Sequence, residues 1–160
     1  MVTLLVLLSL VGPPPYHPSM AHAATEDCGY RTVRDGTVFT LDIERSFDSP
    51  VTFQLCERTP PEISFVLVTT TKSSKKLPVD DATYKSIYSL YEASLDFDLR
   101  DSAMGSDGSV WCLETKRGFA YSKSCFWSPD HNSEQRRLGG LHALGVRLWQ
   151  LAHLDPMKLY

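Results

Sequence analysis

The sequence lacks the short motifs that mark the common catalytic and nucleotide-binding sites. It contains no HExxH, no phosphate-binding loop, no GxGxxG and no GxSxG nucleophile turn. No two of its cysteines form a CxxC pair, which argues against a zinc site or a thioredoxin-like redox site. Pairs of carboxylates could be drawn from Glu57, Glu62, Glu92 and Glu114, but such pairs occur in every domain. We therefore predict no enzymatic activity, no catalytic residues, no metal and no cofactor.

An excess of positive charge is also missing. The net charge is −3, whereas surfaces that bind nucleic acid or anionic membranes carry many lysines and arginines. Lys72, Lys75 and Lys76 are interleaved with serines, which is more typical of a solvated loop tip than of a binding patch. The N-terminal apolar run, Val2 to Val11, is too short to cross a bilayer. We expect neither nucleic-acid binding nor stable membrane insertion after signal cleavage.

The first 23 residues predict an export signal. The apolar run is followed by Ala21-His22-Ala23, the small-x-small pattern that a signal peptidase cleaves. Two features depart from the usual signal: no lysine or arginine precedes the run, and prolines lie between the run and the cleavage site. We predict residues 1–23 to be a signal peptide, and residues 24–160 to be a single periplasmic or secreted domain.

All four cysteines lie in the exported part, where an oxidising compartment would join them as two disulfides. Four cysteines allow three pairings. We favour Cys28 with Cys56 and Cys112 with Cys125, because each pair is local to one predicted segment of sheet. In the chain-entropy model, closing loops of this size stabilises a fold by roughly 3 to 4 kcal/mol each.

The spacing of apolar residues predicts three strands and a helix in the first part of the domain. Apolar and polar residues alternate over 39–44 and 51–56, and 63–68 is continuously apolar, as in a strand buried on both faces. Short segments separated by turns favour antiparallel pairing. Over 80–95 the apolar spacing changes to three and four, which predicts a helix capped by Asp80 or Asp81. Its stripe of tyrosines is more typical of a packing face than of a ligand site.

A second helix is predicted from Asn132 or Ser133 to about Leu154, with a stripe of leucines as its apolar face. The glycines at 139, 140 and 145 lower helix propensity unless they permit a close approach to the sheet. The expected fold class is α+β, in the order β-β-β-α-β-β-α, with helices packed on one face of an antiparallel sheet.

The stretch 105–129 predicts a β-hairpin, because turn-forming residues flank two runs rich in aromatic residues. A four-residue loop, Arg117 to Ala120, would satisfy an ion pair and a disulfide in one register. The alternative is a three-residue loop around Gly118, with Thr115 opposite Phe119, which leaves the cysteines out of register. The four-residue loop makes these pairs directly opposite: Glu114 with Lys123, and Cys112 with Cys125.

Four aspartates precede the hairpin: Asp96, Asp98, Asp101 and Asp107. Calcium takes six or more oxygen ligands at ordered spacing, and this stretch does not match the EF-hand loop. We expect a solvated connection here.

The hairpin and the helix after it resemble a pattern that recurs in a family of uncharacterised bacterial proteins. The pattern is DG, W, LE, then G and Y, then W and P, and then a leucine-rich helix. The resemblance spans Tyr84 to Leu154 and implies a shared fold without implying catalytic residues. The residues that carry it are Asp107-Gly108, Trp111, Leu113-Glu114, Gly118, Tyr121, Trp127 and Pro129, followed by Leu138, Leu148, Leu151 and Leu154. Cys112 and Cys125 interrupt it, as expected of an exported version.

These features favour a non-enzymatic domain that binds another protein, for example an inhibitor or an immunity protein directed against an envelope enzyme. The acidic balance favours a basic partner. A second hypothesis is a binder of an envelope ligand or polysaccharide, or a weak hydrolase, with Trp111, Tyr121 and Trp127 as a stacking platform. An exposed groove lined by these aromatics would favour the second hypothesis.

Overall fold

A computed structural model describes residues 28–29, 36–98, 101–117 and 120–160. The predicted signal peptide lies outside the described residues, and so do Gly118 and Phe119 in the hairpin loop. No helix of the described chain is long and apolar enough to span a membrane.

The described chain forms one six-stranded antiparallel sheet and two helices, which confirms the predicted α+β class. Along the sheet the strands follow the order β4-β3-β2-β1-β5-β6, so that β1 and β2 are central and the hairpin β5-β6 pairs through β5 with β1. In chain order the elements are β1 (Gly36–Arg45), β2 (Val51–Glu57), β3 (Phe65–Thr70), β4 (Ser74–Pro78), α1 (Asp81–Ser94), β5 (Ser109–Arg117), β6 (Ala120–Trp127) and α2 (Gly139–Leu151), followed by a short 3₁₀ turn at Pro156–Lys158.

One face of the sheet packs against both helices. The alternating apolar residues of β1 and β2, such as Leu41 and Phe53, are fully buried on this face, as their period of two predicted. Helix α1 begins at the predicted cap, since the Asp80 carboxylate accepts a hydrogen bond from the Thr83 N–H. Its Tyr91 stacks on Phe39 of β1, with ring centroids 4.9 Å apart. The main core therefore lies between one sheet face and a layer of two helices.

The hairpin has the predicted register, and both disulfides form as favoured. Glu114 faces Lys123, so the three-residue alternative is wrong. The strands continue for one further pair, Arg117 with Ala120, although both residues were predicted to lie in a four-residue loop. The Cys112–Cys125 bridge crosses β5 and β6 directly, and its Cα atoms are 4.0 Å apart. The other bridge joins Cys28 to Cys56.

Lys72 lies in the turn between β3 and β4, as predicted, but Lys75 and Lys76 lie in a strand and not at a loop tip. Residues Ser74–Pro78 form β4, which pairs with β3 and is the sheet edge opposite β6. Lys75 and Lys76 stay exposed, as their charge requires. Because a charged edge strand buries almost nothing, it shows no apolar period in the sequence, and edge lysines also discourage pairing with other chains. The strand predicted at 63–68 also starts later, at Phe65, and leaves Ile63 exposed.

Helix α2 begins later than predicted. It starts at Gly139, and Leu138 at its cap makes no side-chain capping bond. The residues from 129 to 137 form turns instead. Asn132 and Arg137 have φ values of 51° and 57°, which a right-handed helix excludes. The helix ends at Leu151, two residues before His153, whose φ is 54°.

The glycines of α2 have three different surroundings. A Cβ built on Gly145 would lie 2.0 Å from Trp111 Cζ3, so this glycine permits the expected close approach to the sheet. A Cβ on Gly140 would lie 2.4 Å from the Ala93 carbonyl oxygen, so that glycine lets the two helices approach each other. Gly139 has open space around its Cβ position.

Candidate protein-binding surface

The second face of the sheet has no helix layer in the described chain. We call it the open face, and its side chains are mostly polar and half-buried or exposed. Near the β2–β3 side it also holds a small apolar cluster of Phe65 and Leu67 around the Cys28–Cys56 bridge. Its other members include Thr40, Asp42 and Glu44 on β1, Thr52 and Gln54 on β2, Thr69 on β3, Ser74 and Lys76 on β4, Val110, Cys112, Glu114 and Lys116 on β5, and Tyr121, Lys123, Cys125 and Trp127 on β6.

Polar contacts across the strands order the centre of the open face. Thr52 Oγ1 donates to Asp42 Oδ1 at 2.8 Å, and Lys123 Nζ lies 3.6 Å from Asp42 Oδ2. On the same face, Cys112 of β5 lies directly opposite Asp42 of β1, and Cys125 of β6 lies directly opposite Cys112. Both disulfides therefore brace the side of the sheet that receives no helix. Strands cross-linked in this way have little conformational freedom left to lose.

Strand β6 adds an unpaired edge beside the open face. The Cα separation of Cys112 and Cys125 is that of a non-hydrogen-bonded pair, so the Cys125 N–H and C=O point away from β5. Tyr121, Lys123 and Trp127 lie at alternate positions from Cys125, so their N–H and C=O groups also point away from β5. The Trp127 carbonyl confirms the direction, because it accepts a hydrogen bond from Arg136 Nη2 at 2.7 Å on the outer side. No described strand pairs with the outer edge of β6 at the other three residues.

The three aromatic residues predicted as a stacking platform lie apart. Trp111 is fully buried on the helix face, where its Nε1 donates to Ser109 Oγ at 2.7 Å. Trp127 lies on the open face but is half-buried under residues 105–108, and its Nε1 donates to the Asp107 carbonyl at 2.8 Å. Tyr121 is 60% exposed and lies six residues before Trp127, near the start of β6. The structure therefore brings no two of them together as a platform.

The tyrosines of α1 form a packing face, as predicted. Tyr91 is buried, and Tyr88 and Tyr84 follow it outward with ring centroids 5.8 and 6.1 Å apart. Burial and the neighbouring Glu57 carboxylate raise the pKa of Tyr84 well above its usual value. Its hydroxyl therefore stays protonated and serves as a hydrogen-bond donor at the rim of the core.

The acidic stretch before the hairpin is anchored at Asp101, which corrects the expected solvated connection at that residue, while Asp96 and Asp107 are exposed as expected. Arg136 Nε and Nη2 donate to both carboxylate oxygens of Asp101 at 3.0 and 2.8 Å. The same guanidinium donates to three backbone carbonyls, those of Trp127, Ser128 and His131. The hydrogen bond from Arg136, together with its charge, lowers the pKa of Asp101 from its usual value. Sequence reasoning missed this contact because the two residues are 35 positions apart.

Comparison with known proteins finds no counterpart for this chain. No protein-family model, no curated protein and no solved structure matches it significantly. Function must therefore be inferred from the geometry of the chain itself.

Proposed function

We propose that this chain is an exported, non-enzymatic domain that binds another protein by accepting an extended segment of that partner along the outer edge of β6. The observation that carries the proposal is the edge at Tyr121, Lys123 and Cys125, which no strand of the described residues pairs and which adjoins the open face. Added strands gain affinity from main-chain hydrogen bonds and specificity from side chains on the exposed face. An inhibitor or an immunity protein against an envelope enzyme would work in this way.

The two disulfides support the exported location, since such bonds persist in oxidising compartments. The Cys112–Cys125 bridge also supports a binding role, because it holds β5 and β6 in register when a partner strand adds to the edge. The two edges of the sheet differ in a way that favours β6. Edge strand β4 has five residues and carries two lysines and a proline, whereas β6 has eight residues and one lysine.

The proposal is tested by replacing Lys123 in two ways. Lys123→Pro removes an N–H that points away from β5, so the β5–β6 hydrogen bonds remain while the proline ring blocks an added strand. Lys123→Ala removes the same charge and keeps the N–H. Each variant and the wild-type exported chain would be immobilised and exposed to envelope extract from the native cell, and captured proteins would be identified by mass spectrometry.

We expect a protein that binds wild type and Lys123→Ala but not Lys123→Pro, with all three baits showing the same circular dichroism spectrum and both disulfides intact. The isolated captured protein should then show the same order of affinity. A partner that binds all three baits equally would place its site away from the β6 edge. Capture of nothing specific by wild type would count against a protein-binding role.

A further inference from the structure

A cavity of about 250 Å³ lies at the end of the sheet that carries the β1–β2 turn. We call it the Arg45 pocket. An engineered cavity of about 150 Å³ holds a benzene molecule, so this volume accommodates one ring and a short polar arm. Three elements form its walls: the β1–β2 turn with Val51, the β3–β4 turn, and the end of α2 with the chain beyond it. Trp149, Leu154, Pro50 and Val51 are its apolar lining residues.

Arg45 is a buried cation that the protein pairs incompletely. Its side chain is 7% exposed. Nη1 donates to the Lys158 carbonyl at 2.5 Å and Nη2 to the Ser49 carbonyl, and both of these acceptors are neutral. Within the described chain the Nε–H has no acceptor. The guanidinium also lies over the ring of Trp149, 5.1 Å from its centroid, which leaves it partly desolvated.

The carboxylates of the pocket do not supply the missing partner. Asp48 forms a long ion pair with Arg45, with Oδ2 3.7 Å from Nη1 and no hydrogen bond, and it shares its charge with Lys158 Nζ at 3.5 Å. Asp155 Oδ1 accepts from the Met157 N–H at 3.0 Å. With Lys72 at the rim, the lining holds three basic side chains and two acidic ones. The lining as a whole therefore carries one excess positive charge, and its buried guanidinium has only one carboxylate of the described chain nearby, at 3.7 Å.

We propose that the Arg45 pocket binds a small monocarboxylate with a compact apolar body. The carboxylate lies at the cationic side, next to Arg45 and Lys158, and complements a guanidinium whose own partners are mostly neutral. The apolar body lies against Trp149 and Leu154. A single negative charge matches the excess of one cation, whereas a dianionic phosphate would exceed it and would be repelled more strongly by Asp48. The same chemistry is offered by a free acid and by the C-terminal carboxylate of a peptide.

The direct test is a titration of the full exported chain with phenylacetate, followed by ¹H–¹⁵N NMR. The reporting signals are the Arg45 Nε–H and the Trp149 indole N–H, which donates to the Asp155 carbonyl at 2.9 Å. We expect saturable shifts of both signals with phenylacetate, and smaller ones with inorganic phosphate. No saturable shift of the Arg45 signal, or equal shifts with phosphate, would overturn the proposal. This readout needs no substitution at Arg45, which the fold itself uses.

Two lysine variants locate the site. Lys158→Ala removes the rim cation, and we expect it to weaken phenylacetate binding about threefold to fivefold, as is usual for a partly exposed charge pair. Lys116→Ala removes the same charge at the other end of β5 and should leave the affinity unchanged. Equal affinities for the two variants would place the binding elsewhere.

The source of the carboxylate is decided by a second pair of probes. A dipeptide ending in phenylalanine is compared with its C-terminal amide, which has no carboxylate. Tighter binding of the free-acid dipeptide than of phenylacetate would identify a peptide terminus as the ligand, and tighter binding of phenylacetate would identify a free acid. Equal binding of the dipeptide and its amide would refute recognition of a carboxylate.

Discussion

Replacing Arg136 with alanine should destabilise the protein strongly, because this one side chain joins three separate parts of the chain. Its guanidinium binds Asp101 before the hairpin, the end of β6 at Trp127 and Ser128, and the turn at His131. The side chains of Arg136 and Asp101 are 10% and 8% exposed. Arg136→Ala therefore leaves a carboxylate in a poorly hydrated place without its counter-ion.

The expected loss in the free energy of unfolding is about 3 kcal/mol. Removing one partner of a buried ion pair costs roughly 3 to 5 kcal/mol, and the lower end applies to a pair near the surface. For a domain of this size, such a loss lowers the melting temperature by roughly 10 °C. The measurement is urea unfolding followed by circular dichroism, with the disulfides kept oxidised.

Arg137→Ala is the matched control. Arg137 is the next residue in the chain and also pairs with an aspartate, but that pair is 57% and 73% exposed. Its φ of 57° is equally unfavourable for arginine and alanine, since both carry a Cβ. Arg137→Ala should change stability little. If Arg136→Ala and Arg137→Ala unfold at the same urea concentration, the anchoring role of Arg136 is wrong.

The same pair gives a dependence on pH. The folded-state pKa of Asp101 lies below its unfolded value of about 3.9, so its contribution to stability is present above about pH 4. That contribution is lost as the pH falls through the folded-state pKa. Asp101→Asn should therefore be less stable than wild type at neutral pH and lose less stability between pH 4 and pH 2. Parallel pH profiles for the two proteins would contradict this account.

Two further predictions concern the fold and the N-terminus. Gly145→Ala should destabilise the protein by about 1 to 3 kcal/mol, because the new methyl group meets the Trp111 ring, whereas Gly139→Ala has open space and should stabilise it by up to about 1 kcal/mol. Equal unfolding midpoints for these two variants would refute the close packing of α2 on β5. The chain isolated from outside the cytosol should begin at Ala24, as intact-mass spectrometry would show, and an uncut N-terminus would contradict the predicted signal peptide.

Local sequence patterns were sufficient to identify a strand or helix where apolar residues repeat with the period of that element. The alternation in 39–44 and 51–56 identified β1 and β2, and the spacing of apolar residues in 80–95 identified α1. The hairpin register followed from two pairs that a single loop length satisfies. Segments without such a period were misread: β4 is charged and exposed, and the residues before α2 form turns that residues far along the chain hold in place.

The sequence by itself determined the α+β class, the hairpin register and the favoured disulfide pairs, because each of these depends on residues close in the chain or on a repeating period. The burial of Trp111, which the sequence offered as part of a stacking platform, came from packing against α2. Only the tertiary structure decided which strand became the free edge, how Arg136 holds Asp101, and where the Arg45 pocket lies. These features join residues from distant parts of the chain. Such contacts leave no local period, so their geometry exists only after the sheet has formed.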